Sequence, residues 1–277
     1  MKKQFFLNLS LALLLCTGTT FAQRVDTVAV LSPSMHKTVK SVVVLPASYD
    51  QSPEKRYPVV YLLHGHGGRY NSWIKLKPEL PQIASQRGMI FVCPDAKNSW
   101  YWDSPVDPGS RFETYVAKEV PAYVDRKYRT KADPKGRAVA GLSMGGHGAL
   151  WLAFRHPDVF GACGSMSGGV DIRPFPENWH MAQSLGSYYR NPKVWDEHTV
   201  MEQLYRVKPG SLAIIVDCGT EDFFYEVNQE LHRRMLYRNI RHDFITRPGA
   251  HNSKYWKQAV LYQLLFFDDF FKGGKAL

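Results

Sequence analysis

Apolar positions along this chain fall into two patterns, short continuous runs and longer stretches with helical spacing. Residues 25–30 and 39–45 are β-branched runs on either side of Ser32-Pro33-Ser34, and they predict an antiparallel strand pair. Residues 57–63 form an unbroken apolar run, as expected of a strand buried on both faces. From there the patterns alternate. Strands are expected at 89–93, 137–140, 162–166, 212–216 and 243–246, with helices at 112–128, 145–155, 225–237 and 255–271. Ser110 and Glu113 have the spacing of a capping box at the first of these helices. Such alternation predicts the α/β class, a mostly parallel sheet with helices on both faces and the antiparallel pair at its N-terminal edge.

Residues 170–209 break the rhythm. They are polar and aromatic, with Trp179, Tyr188, Tyr189 and Trp195. An insertion this long between core strands reads either as a partial cap over a site or as a helical surface excursion. Elsewhere there is no linker, repeat or low-complexity block, so residues 23–277 are expected to form one domain.

The first 22 residues read as a removable leader. Lys2 and Lys3 precede a short apolar stretch, and Thr20-Phe21-Ala22 supplies small residues before a cleavage point at Gln23. The apolar stretch falls short of the roughly 20 residues that span a bilayer. Lipidation at Cys16 is the competing reading, although Leu13-Leu14-Leu15 lacks the small residue usual beside such a cysteine. Export leaves Cys93, Cys163 and Cys218, an odd number at the ends of strand-like runs, which reads as buried free thiols. The expected location is periplasmic or secreted, without stable membrane insertion. The formal charge is +10, about +8 without the two leader lysines. The basic residues are scattered in sequence and no nucleic-acid motif accompanies them, so they read as solvated surface, with attraction to acidic polysaccharide a weaker alternative.

Candidate chemistry centres on Gly141-Leu142-Ser143-Met144-Gly145, a G-x-S-x-G motif between an expected strand and an expected helix. In that setting a sharp turn holds the serine hydroxyl at a helix N-terminus, and glycines relieve the crowding around it. His64-Gly65-His66-Gly67-Gly68 directly follows the buried strand, where backbone amides can face a substrate oxygen. The expected oxyanion donors are the amides of His66 and Met144, with Gly67 as the alternative to His66. A metal site built on His64 and His66 competes, but no carboxylate or cysteine stands at ligand spacing nearby; His64 reads as structural.

A nucleophilic serine needs a base and the base an orienting acid, in the chain order serine, acid, histidine in α/β-hydrolases. His251 lies in Pro248-Gly249-Ala250-His251-Asn252, between the last strand and the closing helix. His232 and His242 look like surface or helix-end residues. For the acid, Asp222 is preferred to Asp217 and Glu221, because it sits on the loop three residues past Gly219. Trp100, Tyr101 and Trp102 should reach the same sheet edge, where they would hold an aromatic acyl group or a sugar. Alternatively they simply cover that edge.

These pieces, in this order, resemble the putative-esterase family of α/β-hydrolases, which includes esterase D, tributyrin esterases, feruloyl and acetyl-xylan esterases, and mycolyltransferases. The resemblance is carried by residues 64–68, Asp95 with 98–102, 112–130, 141–148, 156–158, 219–222 and 249–251. It implies an α/β-hydrolase fold, Ser143 as nucleophile, Asp222 as acid, His251 as base, His66 and Met144 as oxyanion donors, and no metal or cofactor. The implied partner is a small-molecule or polysaccharide ester. A secreted carboxylesterase acting on acetyl or feruloyl esters is the leading expectation. An acyltransferase of mycolyl type and a non-catalytic carbohydrate-binding protein are the alternatives.

Overall fold

The computed structural model describes residues 23–274. The expected leader and the Cys16 alternative lie outside the described residues. Strands β1 (Arg24–Ser32) and β2 (Lys37–Leu45) form the antiparallel pair, turned by Pro33–Met35. β3 (Val59–Leu63), β4 (Ile90–Pro94), β5 (Arg137–Leu142), β6 (Ala162–Met166), β7 (Ala213–Gly219) and β8 (Asp243–Arg247) complete one eight-stranded sheet in the order β1-β2-β4-β3-β5-β6-β7-β8. β2 meets β4 antiparallel, and every later pairing is parallel. β3, β4, β5, β6 and β7 are buried along their whole length, which is why their sequences run apolar without alternation.

Helices cover both faces: α1 (Ser72–Leu76), α2 (Leu80–Arg87), α3 (Phe112–Thr114), α4 (Val120–Lys127), α5 (Met144–Arg155), α6 (Ala182–Leu185), α7 (Pro192–Glu197), α8 (Val200–Gln203), α9 (Tyr225–Tyr237) and α10 (Ser253–Phe271). Two apolar cores result, one on each side of the sheet. Among the described residues no helix is long and apolar enough to cross a membrane. Cys93, Cys163 and Cys218 are buried and unpaired, as the sequence suggested.

Three local expectations need correction. The capping box does not form: Arg111 precedes α3 without a side-chain cap, and the Glu113 carboxylate turns inward to Trp151, Arg155 and His156. The helix expected over 112–128 is interrupted by a π-helical turn, Tyr115–Glu119, between α3 and α4. Helices α1 and α2 add cover that the hydrophobic pattern did not announce; α1 is only five residues long, too short to show a period.

Candidate active site

Ser143 stands where β5 turns into α5, with φ 56° and ψ −120°. A non-glycine residue held at positive φ stores strain, and it persists because the neighbouring chain leaves no room to relax. A Cβ on Gly141 would lie 2.2 Å from the Gly145 carbonyl oxygen, and one on Gly145 would lie 2.3 Å from that of Leu63. Both glycines of the motif are therefore demanded by close backbone approach.

His251 and Asp222 reach Ser143 from two loops that are tied together. The Thr220 and Glu221 amides donate to the carbonyls of Arg247 and Gly249, at 3.0 Å each. His251 Nε2 lies 2.9 Å from Ser143 Oγ, and its Nδ1 lies 2.9 and 3.0 Å from the two Asp222 oxygens. The Asp222 side chain is fully buried and also accepts the Phe224 amide at 2.9 Å. The competing acids are placed elsewhere. Asp217 is buried against Tyr255 and Arg247, and Glu221 is exposed. His232 and His242 pair with each other at 2.7 Å, apart from this site.

The glycine loop after β3 is braced from beneath. The Ala96 amide donates to His64 Nε2 at 3.0 Å, so Nδ1 carries the proton and donates to the Gly65 carbonyl at 2.8 Å. Burial pushes the His64 pKa down, in keeping with this neutral form. Both ring nitrogens are thus committed, which leaves neither free for a metal. The Gly67 amide donates to Asn98 Oδ1 at 2.7 Å, so the alternative oxyanion donor is already occupied. The His66 amide has no acceptor among the described residues. The Met144 amide is the first of α5, one of the N–H groups a helix leaves without an internal partner.

The aromatic expectation is overturned. Trp100, Tyr101 and Trp102 are at most 1% exposed and none lines the Ser143 cleft. The chain after β4 turns inward through left-handed backbone at Lys97, Trp100 and Tyr101. The Trp100 and Trp102 rings stack at 5.7 Å beneath the insertion, and Tyr101 packs against Gly148 and donates to the His64 carbonyl at 2.9 Å. These residues lie beneath the site, outside the lining of its cleft.

The walls come instead from residues that no motif marked. A cleft of about 720 Å³ opens on Ser143 and His251, lined by Trp179, Phe223, Trp256, Trp73, Lys75 and Lys257 among others. The Phe223 ring lies 4.2 Å from the His251 ring, Trp256 meets it edge-on at 4.9 Å, and Trp179 stacks on Phe223 at 5.9 Å. Trp179 is the contribution of the 170–209 insertion to this wall.

The family described as Putative esterase matches residues 32–267. The chain belongs to this esterase family. It is 29% identical over 236 residues to esterase Rv1288 of Mycobacterium tuberculosis (strain ATCC 25618 / H37Rv), covering 76% of this chain and 51% of that protein. The chain thus spans about half the length of that relative. It is 22% identical to an acetyl esterase of Caldicellulosiruptor saccharolyticus, over 83% of this chain and 92% of that one. A solved ferulic acid esterase superposes with a TM-score of 0.78 and 30% identity, covering 91% of this chain and 99% of the other. That superposition and the strand order together give this chain the α/β-hydrolase architecture.

Proposed function

We propose that this protein is an exported serine carboxylesterase that cleaves acetyl or feruloyl esters, in which Ser143, His251 and Asp222 act as nucleophile, base and orienting acid. The observation that carries the reading is the unbroken hydrogen-bond chain from Ser143 Oγ through His251 to the buried Asp222 carboxylate. Support for the ester class comes from family membership, and for the acyl group from the names of the acetyl and ferulic acid esterases it resembles.

In this mechanism neutral His251 accepts the Ser143 proton at Nε2 while its Nδ1–H stays donated to Asp222. Ser143 Oγ forms a bond to the ester carbonyl carbon, and the carbonyl electron pair moves onto oxygen, where the His66 and Met144 amides receive it. Collapse breaks the bond to the alcohol, which leaves with the proton held on His251. Water then repeats the sequence on the acyl-serine, releasing the acid and restoring the enzyme. Trp179, Phe223 and Trp256 give the acyl or sugar group an apolar wall.

A panel of p-nitrophenyl acetate, p-nitrophenyl butyrate, methyl ferulate and acetylated xylan, run on wild type and Ser143→Ala, tests the reading. Activity on one or more esters should fall by about 10⁶-fold in the variant. Equal turnover by the two proteins would end the Ser143 assignment, and acetate release without ferulate release would remove the feruloyl branch.

A further inference from the structure

Four basic residues that are scattered in sequence meet in space. β2 lies beside β4 in the sheet, and this brings Lys37 and Lys40 next to Lys97 and to Arg69 of the glycine loop. Together with Tyr70, Asp95 and Asn98 they line a groove of about 610 Å³. Its one carboxylate, Asp95, is spent on the amides of Tyr70 and Lys97 and lies 3.8 Å from His64. None of the four cations has a carboxylate within 4 Å among the described residues. Burial first and the Lys97 charge second push the Lys37 ammonium below its ordinary range, against the opposing charge of Asp107, and its Nζ donates to the Gly109 carbonyl at 2.7 Å.

This groove is continuous with the Ser143 cleft. Gly68 lines both, so the glycine loop is the ridge between them. On the far side the cleft carries Lys75 and Lys257 and no carboxylate in its lining. A positive path therefore runs from Lys40 and Lys97 across the loop to the serine. Concave walls of one charge sign concentrate anionic ligands and speed their capture.

We propose that the groove formed by Lys37, Lys40, Arg69 and Lys97 binds a carboxylated polysaccharide, a chain bearing uronic acids, and feeds its ester groups across the glycine loop to Ser143. The binding half stands on the groove itself, and the cleavage half rests on the esterase reading above. A polysaccharide fits better than other polyanions. Nucleic acid carries no carboxylic ester for the adjoining cleft, and a concave groove does not match a flat membrane surface. The Tyr70 ring, with Lys40 Nζ 5.7 Å from its centroid, offers a face for a sugar beside a charge for its carboxylate.

Affinity electrophoresis reads binding without turnover. Ser143→Ala protein is run through native gels holding polygalacturonate, neutral arabinoxylan or neither, alone and with Lys40→Gln, Arg69→Gln and Lys97→Gln added. Polygalacturonate should retard the first protein and arabinoxylan should not. The added substitutions should weaken the retardation about five-fold or more, and about 0.5 M salt should abolish it. With Ser143 intact, the triple substitution should leave kcat/KM on p-nitrophenyl acetate within about two-fold and lower it about ten-fold on acetylated glucuronoxylan. A thermal melt confirms that the substituted protein is folded. Equal retardation with and without the three cations would overturn the proposal, as would stronger retention by single-stranded DNA or anionic vesicles than by polygalacturonate. A failed esterase reading would show separately, as Ser143→Ala activity on p-nitrophenyl acetate with the gel result unaffected.

Discussion

Among the described residues two histidines make hydrogen-bond contact with a carboxylate, and only one of these pairs ends on a nucleophile. His251 contacts Asp222 at 2.9 Å, and His156 contacts Glu113 at 2.8 Å. Both carboxylates are buried; Glu113 itself lines a cavity of about 910 Å³, whereas Asp222 lies behind His251, which lines the cleft of about 720 Å³. The difference lies in what converges on each. Glu113 also accepts from Trp151 Nε1 at 2.9 Å and from Arg155 Nε at 2.7 Å, so its charge is neutralised in place. It pins α3 to the C-terminal end of α5. Among the described residues Asp222 has no Lys or Arg side chain against it, and beyond His251 stands a strained serine. Cavity size and a buried histidine–carboxylate pair therefore do not single out the reactive site; the third partner does.

The sharpest way to break this contrast is to neutralise each carboxylate. Asp222→Asn should lower kcat on p-nitrophenyl acetate by about 10⁴-fold through loss of the correct His251 tautomer. Its melting temperature should change little. Glu113→Gln should do the reverse, keeping kcat/KM per folded molecule within about two-fold while destabilising by roughly 3–5 kcal/mol in a urea titration, because Arg155 loses its counter-charge. If Glu113→Gln abolished turnover in folded protein, the two pairs would not differ as described.

Acid sharpens the same contrast. Burial raises the Glu113 pKa, but the hydrogen bonds from His156 and Arg155 outweigh it and hold the carboxyl down at about 2. A carboxyl depressed in the folded state stabilises the fold above its unfolded value near 4.5, and that contribution is lost as pH falls towards 2. Roughly 3 kcal/mol should disappear across this window in wild type and not in Glu113→Gln, measured by denaturant unfolding at stepped pH. The smallest effect belongs to the brace between the regions. Asn98→Ala removes the acceptor of the Gly67 amide and should lower kcat about ten-fold, with KM little changed, by loosening the loop that carries His66.

Much of this fold was legible because buried parallel strands are mostly apolar, and β3, β4 and β6 were located within two residues. The elbow was legible because its glycines answer to close backbone approach, a requirement that leaves a mark in sequence. Trp179, Phe223 and Trp256 carried no such mark as site residues: they come from three separate stretches of chain and meet only at the Ser143 cleft. Trp100 and Trp102 misled because an aromatic run at a sheet edge looks the same whether it faces the cleft or, through left-handed backbone, turns beneath it. The basic groove was hidden because Lys40 and Lys97 meet only through β2–β4 pairing.

The most direct test of the account is covalent. A fluorophosphonate probe reacts with a serine that a neighbouring base has activated, and the labelled residue can be mapped by peptide mass spectrometry. The account predicts one label per chain, on Ser143, abolished in Ser143→Ala and strongly slowed in Asp222→Asn, while Glu113→Gln labels at the wild-type rate. Labelling of folded wild-type protein at another residue, or none at all, would contradict it.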